Sequence, residues 1–245
     1  MADLVAEALG TTLPSTHPAV PFIYPMRLVA QAASDELLRH IGMAGDPIAV
    51  HEAQLIKATH RLSAGEELTL TGELDAANGS ANIALTAKGA QDELAVESLT
   101  RLRFSTAAAL LGSGSAGARL VENPAISPIT SQPLADFLVA AYAEASGDIN
   151  PIHTDIRLAT SLGLPERVVH GMLLVGLAEP ALASAGLGRP TELRTRFLAP
   201  VFVGERVTVV VSEPSIAASP VRKIRIVVMR QEGRIACVSD AVMTG

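Results

Sequence analysis

The chain has 245 residues, 49% of them hydrophobic and 18% charged, with few aromatics, no Trp and a formal charge of -6 at pH 7. That length suffices for one large domain or two small ones with real cores. The acidic balance speaks against nucleic acid as a main partner, because phosphate binding wants a net basic face.

Residues 1–21 carry Pro14, Pro18 and Pro21 and read as an irregular arm. The start, Met-Ala-Asp-Leu-Val-Ala-Glu, is acidic where a secretory signal would be basic, so cytoplasm is the expected compartment. Met26 to Met43 has apolar residues at helical spacing (Leu28, Val29, Ala32, Leu37, Leu38, Ile41), and Gly42, Gly45 and Pro47 end it. Strand character follows in Ile48–Lys57, Glu67–Leu74, Ser80–Lys88 and Leu94–Phe104, punctuated by Asn78-Gly79 and Gly89. Gly112-Ser-Gly-Ser-Ala-Gly117 matches the letters of a dinucleotide fingerprint. An Ala-rich stretch precedes it, and Pro124 and Pro128 leave little room for the required helix, so it reads as a flexible linker over 112–124.

Past the linker, Ala125–Thr130 is a candidate short strand and Pro133–Ser146 a helix with Pro in its first turn. A short helix over Thr154–Gly163 and an apolar one from about His170 to Ala185 follow. Val168–Leu187 has the length of a membrane span, but His170 and Glu179-Pro180 inside it are expensive in hydrocarbon, so a buried helix and no membrane span are expected. Thr191–Leu198, Arg206–Glu213, Val221–Arg230 and Ile235–Met243 read as strands. In the last, the single Cys237 excludes an internal disulfide, fits a reducing compartment and reads as a buried thiol rather than a nucleophile.

Each half therefore runs helix first, then four strands. The letters repeat as well. Ala64-Gly-Glu-Glu-Leu-Thr-Leu70 aligns with Val203-Gly-Glu-Arg-Val-Thr-Val209, and Leu94-Ala-Val-Glu-Ser with Ile235-Ala-Cys-Val-Ser. The expectation is one α+β fold used twice, each copy an antiparallel sheet wrapped around an apolar helix.

Chemistry concentrates in Tyr142–His153 and Val169–Met172. Asp148 and His153 lie five residues apart, the wrong spacing for one helical face, and Pro151 disfavours a helical Asn150. A loop over Gly147–Ile152 between two helices should hold the carboxylate and the imidazole at its two ends, a common place for catalytic groups.

Ala145-Ser-Gly-Asp-Ile-Asn-Pro-Ile-His153, then Val169-His-Gly-Met-Leu173, then Phe197-Leu-Ala-Pro-Val-Phe-Val-Gly204 resemble the signature of the MaoC-like dehydratases, also called R-specific enoyl-CoA hydratases or hydratase 2. The resemblance covers about 120–245. It implies a double hot-dog fold, with a degenerate N-terminal hot dog over 1–111 and a catalytic one over 125–245. It further implies reversible syn hydration of a trans-2-enoyl thioester to the (3R)-hydroxyacyl thioester in fatty acid metabolism. Asp148 and His153 match the catalytic pair, the Gly171 N–H matches the donor to the thioester carbonyl, and Asn150 matches an orienting residue. Coenzyme A or acyl-carrier protein would enter as part of the substrate, with no separate cofactor; a homodimer is left open.

Other polar groups have plainer readings. Asp148 alone is compatible with an Asx turn, and His170 with support of the helix start. His17, His40, His51 and His60 share no metal-ligand spacing and read as surface or satisfied core. Arg194, Arg196 and the run Arg222-Lys-Ile-Arg225 are candidates for contact with CoA phosphates, and equally for the solvent face of strands. Two competing functions are a hot-dog thioesterase using Glu179 on the apolar helix and a non-catalytic acyl-CoA-binding subunit. The N-terminal half has no counterpart of the Asp-x-Asn-Pro-x-His motif, so one active site per chain is expected, with the first half walling the acyl pocket and Ala30, Ala32 and Ala33 leaving room for a tail.

Overall fold

A computed structural model describes residues 8–9, 20–30, 48–113, 124–213 and 222–243. Most of the N-terminal arm, residues 31–43 of the first expected helix, His17, His40, Ala32, Ala33 and nearly all of the linker lie outside these residues. The helical stretch at 25–30 agrees with the start of that helix.

The first half supplies β1 (Ile48–Ala58), β2 (Thr69–Ala77), β3 (Ser80–Lys88), β4 (Leu94–Ser105) and a short α1 (Ala107–Leu111). The second supplies β5 (Ile129–Thr130), α2 (Asp136–Ser146), α3 (Pro151–Thr154), α4 (Ile156–Ser161), α5 (Gly171–Gly176), α6 (Ala178–Ser184), β6 (Pro190–Phe197), β7 (Val207–Ser212), β8 (Arg222–Arg230) and β9 (Ile235–Met243). The strand order is β2-β3-β4-β1-β6-β9-β8-β7-β5, every neighbouring pair antiparallel. Without the two-residue β5 the order is a palindrome: β1 corresponds to β6, β4 to β9, β3 to β8 and β2 to β7. The repeat seen in the letters is thus a repeat in space. Gly65 and Gly204, at matching places in the two heptapeptides, both take left-handed backbone (φ 83° and 88°) ahead of β2 and β7, a conformation open to glycine at little steric cost.

One expectation needs correction. The strands form a single nine-stranded sheet rather than two, because β1 and β6 pair from Ala53↔Arg196 to Lys57↔Glu192. Joining the sheets removes one open edge from each, and unpaired strand edges invite aggregation. The largest core cluster runs across the junction, with Ile56, Ala87, Ala95 and Val96 of the first half packed with Leu173, Leu177, Ala181 and Val207 of the second.

Three boundaries also move. The apolar helix is two pieces, α5 and α6, bent at Leu177; Pro180 has no N–H to offer the Gly176 carbonyl four residues back. Helix α2 begins at Asp136 and not at Pro133, because Ser131 and Leu134 donate their N–H groups to Val207 and Glu205 carbonyls and stay extended. The strand after the linker shrinks to β5, with an isolated bridge between Pro124 and Ser212. No described helix is long and apolar enough to cross a membrane.

Candidate active site

A left-handed Gly147 (φ 75°) ends α2, and its N–H donates to the Ala143 carbonyl. The chain then makes a short loop to Asn150, which caps α3 with Pro151 in the first turn. The loop is two residues shorter than expected, since Pro151 opens a helix that carries His153. Asn150 holds the loop in two directions. Its Oδ1 accepts from the Ile152 N–H at 3.4 Å, and its Nδ2 donates to the Ala49 carbonyl of β1 at 3.4 Å. Ile152 is anchored beneath α3 in a cluster with Ile48, Ala107, Leu110, Leu164, Val168 and Phe202. Apolar packing from both halves therefore fixes the helix that bears the imidazole.

The two oxygens of Asp148 have separate tasks. Oδ1 accepts from the Asn150 N–H at 3.3 Å, the Asx turn that the residue type predicts. Oδ2 faces His153 Nε2 at 3.9 Å, too far for a direct hydrogen bond. The other nitrogen of His153, Nδ1, donates to the Val168 carbonyl at 2.6 Å. A carbonyl only accepts, so neutral His153 carries its proton on Nδ1 and turns a bare Nε2 lone pair toward the carboxylate. Asp148 is about half exposed and His153 nearly buried.

His170, fully buried, donates from Nε2 to the Asp148 carbonyl at 3.0 Å and stacks on His153, ring centroids 3.8 Å apart. The bond ties His170, the N-cap residue of α5, to the loop; its side chain makes no capping hydrogen bond to the helix start, the role that the sequence suggests for it. Burial pushes the His170 pKa well below the ordinary value, helped by the neighbouring His153 and opposed by Asp148. Desolvation works to raise the Asp148 carboxyl; His153, His170, the Asn150 N–H and His51 together outweigh it and hold Asp148 below the ordinary carboxylate range. The site thus keeps an ionised carboxylate beside a neutral His170.

Gly171 opens α5, where first-turn N–H groups have no intrahelical acceptor. A side chain there would strike the Phe197 ring, since a Cβ would fall 2.8 Å from Cε1. On Phe197 in turn packs His51, centroids 4.8 Å apart. His51 comes from β1, on the far side of the junction. The expectation of surface or satisfied core for His51 misses this: the residue is bonded through Nε2 to Gln54 Oε1 at 2.9 Å, yet it also forms a wall of the site. Burial lowers its pKa to about 4, the Gln54 bond and Asp148 opposing and His153 adding to the effect. His60 pairs with Glu66 on the surface, as expected.

The fold does not bring the candidate arginines to this place. Side chains alternate along a strand. Arg194 and Arg196 are exposed on β6, alternating with buried Leu193 and Thr195, whereas Phe197 faces Gly171. Arg194 pairs with Glu192 and Arg225 with Asp240. Glu179 is also engaged elsewhere: its carboxylate accepts the Phe22 N–H at 3.0 Å and lies 3.5 Å from Arg189. Cys237 is fully buried, its thiol pushed up to about 12 by burial. Ligand atoms of Asp148, His153 and His170 lie within 4.8 Å of one another. Of these rings, His153 Nδ1 and His170 Nε2 are already committed to the Val168 and Asp148 carbonyls.

Residues 124–231 match a family model described as MaoC like domain. The (R)-specific enoyl-CoA hydratase of Aeromonas caviae is 33% identical over 113 residues, 43% of this chain and 81% of that protein. The chain belongs to the MaoC-like dehydratase and R-specific enoyl-CoA hydratase family. The 3-hydroxyacyl-thioester dehydratase Y of Mycobacterium tuberculosis is 28% identical over 224 residues, 83% of this chain and 75% of that one. Its match reaches well beyond the C-terminal half. Among solved structures, a MaoC-like dehydratase superposes over 99% of this chain and 91% of its own with a TM-score of 0.74 at 16% identity. A Mycobacterium tuberculosis protein described as having a double hotdog fold superposes over 98% and 85% with a TM-score of 0.57 at 15% identity. The α+β fold of this MaoC-like chain is accordingly hot-dog-like.

Proposed function

We propose that this MaoC-like chain is a (3R)-specific enoyl-CoA hydratase, equivalently a 3-hydroxyacyl-thioester dehydratase, acting by syn addition of water to trans-2-enoyl thioesters in fatty acid metabolism. The observation that carries the reading is the Asp148–His153 pair. Two hydrogen-bond acceptors face each other across 3.9 Å with the imidazole tautomer fixed from behind. One water at hydrogen-bond distance from both would span that gap, donating one O–H to each, with an oxygen lone pair left for attack.

The step balances as follows. The water oxygen bonds to C3 while the pair takes one of its protons, and the C2=C3 electron pair moves onto the thioester oxygen. The carbonyl re-forms as the pair returns that proton to C2 on the same face. Positioned acid–base groups of this kind contribute ~10²–10⁴-fold. Charge on the thioester oxygen is met by the Gly171 N–H, a donor fixed in place before the reaction. Asn150 and His170 orient the loop. The R outcome rests on the name of the Aeromonas caviae relative.

The organisation we favour is a double hot dog, with 125–245 as the catalytic half and 1–111 as its degenerate partner, linked by 112–124. The palindromic strand order supports it. The thioesterase alternative loses its carboxylate, because Glu179 is spent on Phe22 and Arg189.

The test follows loss of enoyl-thioester absorbance over a series of trans-2-enoyl-CoAs, with product coupled to R- and S-specific dehydrogenases. R product at some chain length is expected. S product, or thiol release in place of hydration, would overturn the proposal. If no CoA ester reacts, enoyl-carrier protein is assayed next; failure with both leaves a protein that binds acyl groups without turning them over.

A further inference from the structure

We propose that His51, contributed by the N-terminal half, is a positioning residue of the active site, acting through Phe197 on the Gly171 backbone. The inference rests on the functional reading above and extends it across the junction between the halves.

Three observations meet at His51. The first is the strand that carries it. The β1–β4 register shifts between His51 and Ala53, and β1 pairs with β6 only from Ala53 onward. Ahead of that shift β1 is released from β6, and there its Ala49 carbonyl receives Asn150 Nδ2 while His51 packs on Phe197. Bulges of this kind re-aim side chains beside functional sites.

The second observation is how firmly the ring is held. His51 Nε2 bonds Gln54 Oε1 at 2.9 Å, and Thr100 Oγ1 donates to the same oxygen at 2.8 Å. Gln54 Nε2 donates to Ser98 Oγ and to the Leu55 carbonyl. With both amide protons committed, the Gln54 oxygen faces His51, so Nε2 carries the imidazole proton. Gln54, Ser98 and Thr100 are all buried. Such a buried hydrogen-bonded network is rigid.

The third observation is the contact at the other end. The Phe197 ring fills the space where Gly171 would carry a side chain and packs on His51 at 4.8 Å. A retreat of Phe197 would free the Gly171 N–H to drift, and displacements near 1 Å at a reacting centre cost on the order of 10²-fold. The N-terminal half therefore does more than wall a pocket: it sets the backbone donor that meets the charge developing on the thioester oxygen.

The experiment is a double-mutant cycle on hydration of an enoyl-CoA, with His51→Ala, Phe197→Ala and the pair, reading kcat and KM separately and checking folding by circular dichroism. Loss of a Gln54 partner is tolerable in His51→Ala because Thr100 still donates to that oxygen; His51→Leu replaces it in the cycle if the alanine variant does not fold. The expected result is a kcat loss greater than about threefold in each single variant at little cost in KM, since the donor acts on developing charge. The double variant should lose no more than the worse single, because both changes break one chain of contacts. His51→Phe, which keeps a flat ring on Phe197, should recover most of the loss. A kcat within threefold of the unaltered enzyme in His51→Ala, losses that multiply in the double variant, or equal losses in His51→Ala and His51→Phe would overturn the proposal. If the unaltered chain hydrates no enoyl thioester, the functional reading itself has failed; if it does and His51→Ala matches it, only the role of His51 has.

Discussion

Replacing Gly171 with alanine adds one methyl group at the most crowded point of the site. That carbon would lie 2.8 Å from Phe197 Cε1, 3.0 Å from Cδ1 and 3.4 Å from Cζ. Carbon pairs settle at about 3.5–4.0 Å, so something must give by about 0.7–1.2 Å. A lone ring would simply swing away. This one has His51 on it, and His51 is tied to Gln54, so part of the displacement passes to the backbone of 170–171. Overpacking of this kind costs about 1–3 kcal/mol, or a Tm lower by about 2–12 °C for a chain of this size. The larger effect is on catalysis: a donor misplaced by about 1 Å loses on the order of 10²-fold. Gly171→Ala should thus fold, bind substrate with KM within about threefold, and turn over about 10²-fold more slowly. Steady-state hydration of an enoyl-CoA, paired with thermal unfolding, measures all three. A kcat within threefold of the unaltered enzyme would refute the placement of the thioester oxygen at Gly171.

Asp148→Asn keeps an oxygen for the Asn150 N–H but loses the charge facing His153, so kcat should fall ~10²–10⁴-fold with the unfolding midpoint nearly unchanged; near-normal turnover would remove Asp148 from the pair. His51 and His170 are both held neutral, their folded pKa values below the unfolded value of about 6.5. The unfolded chain therefore takes up more protons below that pH, and stability should drop on acidification from pH 7 to 5 by on the order of 4 kcal/mol for the two groups together. Urea unfolding at the two pH values tests this, with equal midpoints as the contrary result. Asp148, depressed instead, contributes nothing across that window, because its share is lost only at lower pH as it passes through its folded pKa. Glu179→Gln should leave hydration within a few-fold while costing about 1–3 kcal/mol, since it leaves the partly buried Arg189 unpaired; loss of turnover in a folded variant would reopen the thioesterase reading. Thiol reagents should not reach Cys237 until the protein unfolds, and inactivation of the native enzyme through that residue would show that β9 opens.

What could be read in advance was whatever local physics dictates. Gly65 and Gly204 recur because each precedes a strand through a left-handed turn, and such a turn constrains letters in both copies. The Asp148–His153 loop was legible because Pro151 and Asn150 break and restart a helix at fixed places. The break between α5 and α6 was not read, although Pro180 stands there, because the apolar run around it reads as one continuous helix. What could not be read depends on partners distant in the chain. The pairing of β1 with β6 is a meeting of backbone edges, which leaves no signature in side-chain alternation. His51 is a sharper case. A lone histidine in a strand has no spacing to distinguish it, and its place in the site is created by a register shift and by Phe197 from the other half. The halves therefore specialise unequally. On the proposed function, the motif-bearing half supplies the reacting groups and the motif-poor half rigidity at the seam, where a sequence motif has little reason to form because many side-chain sets can be rigid. Loss of the Asp-x-Asn-Pro-x-His pattern from the first half is then compatible with a continuing demand on its strand β1.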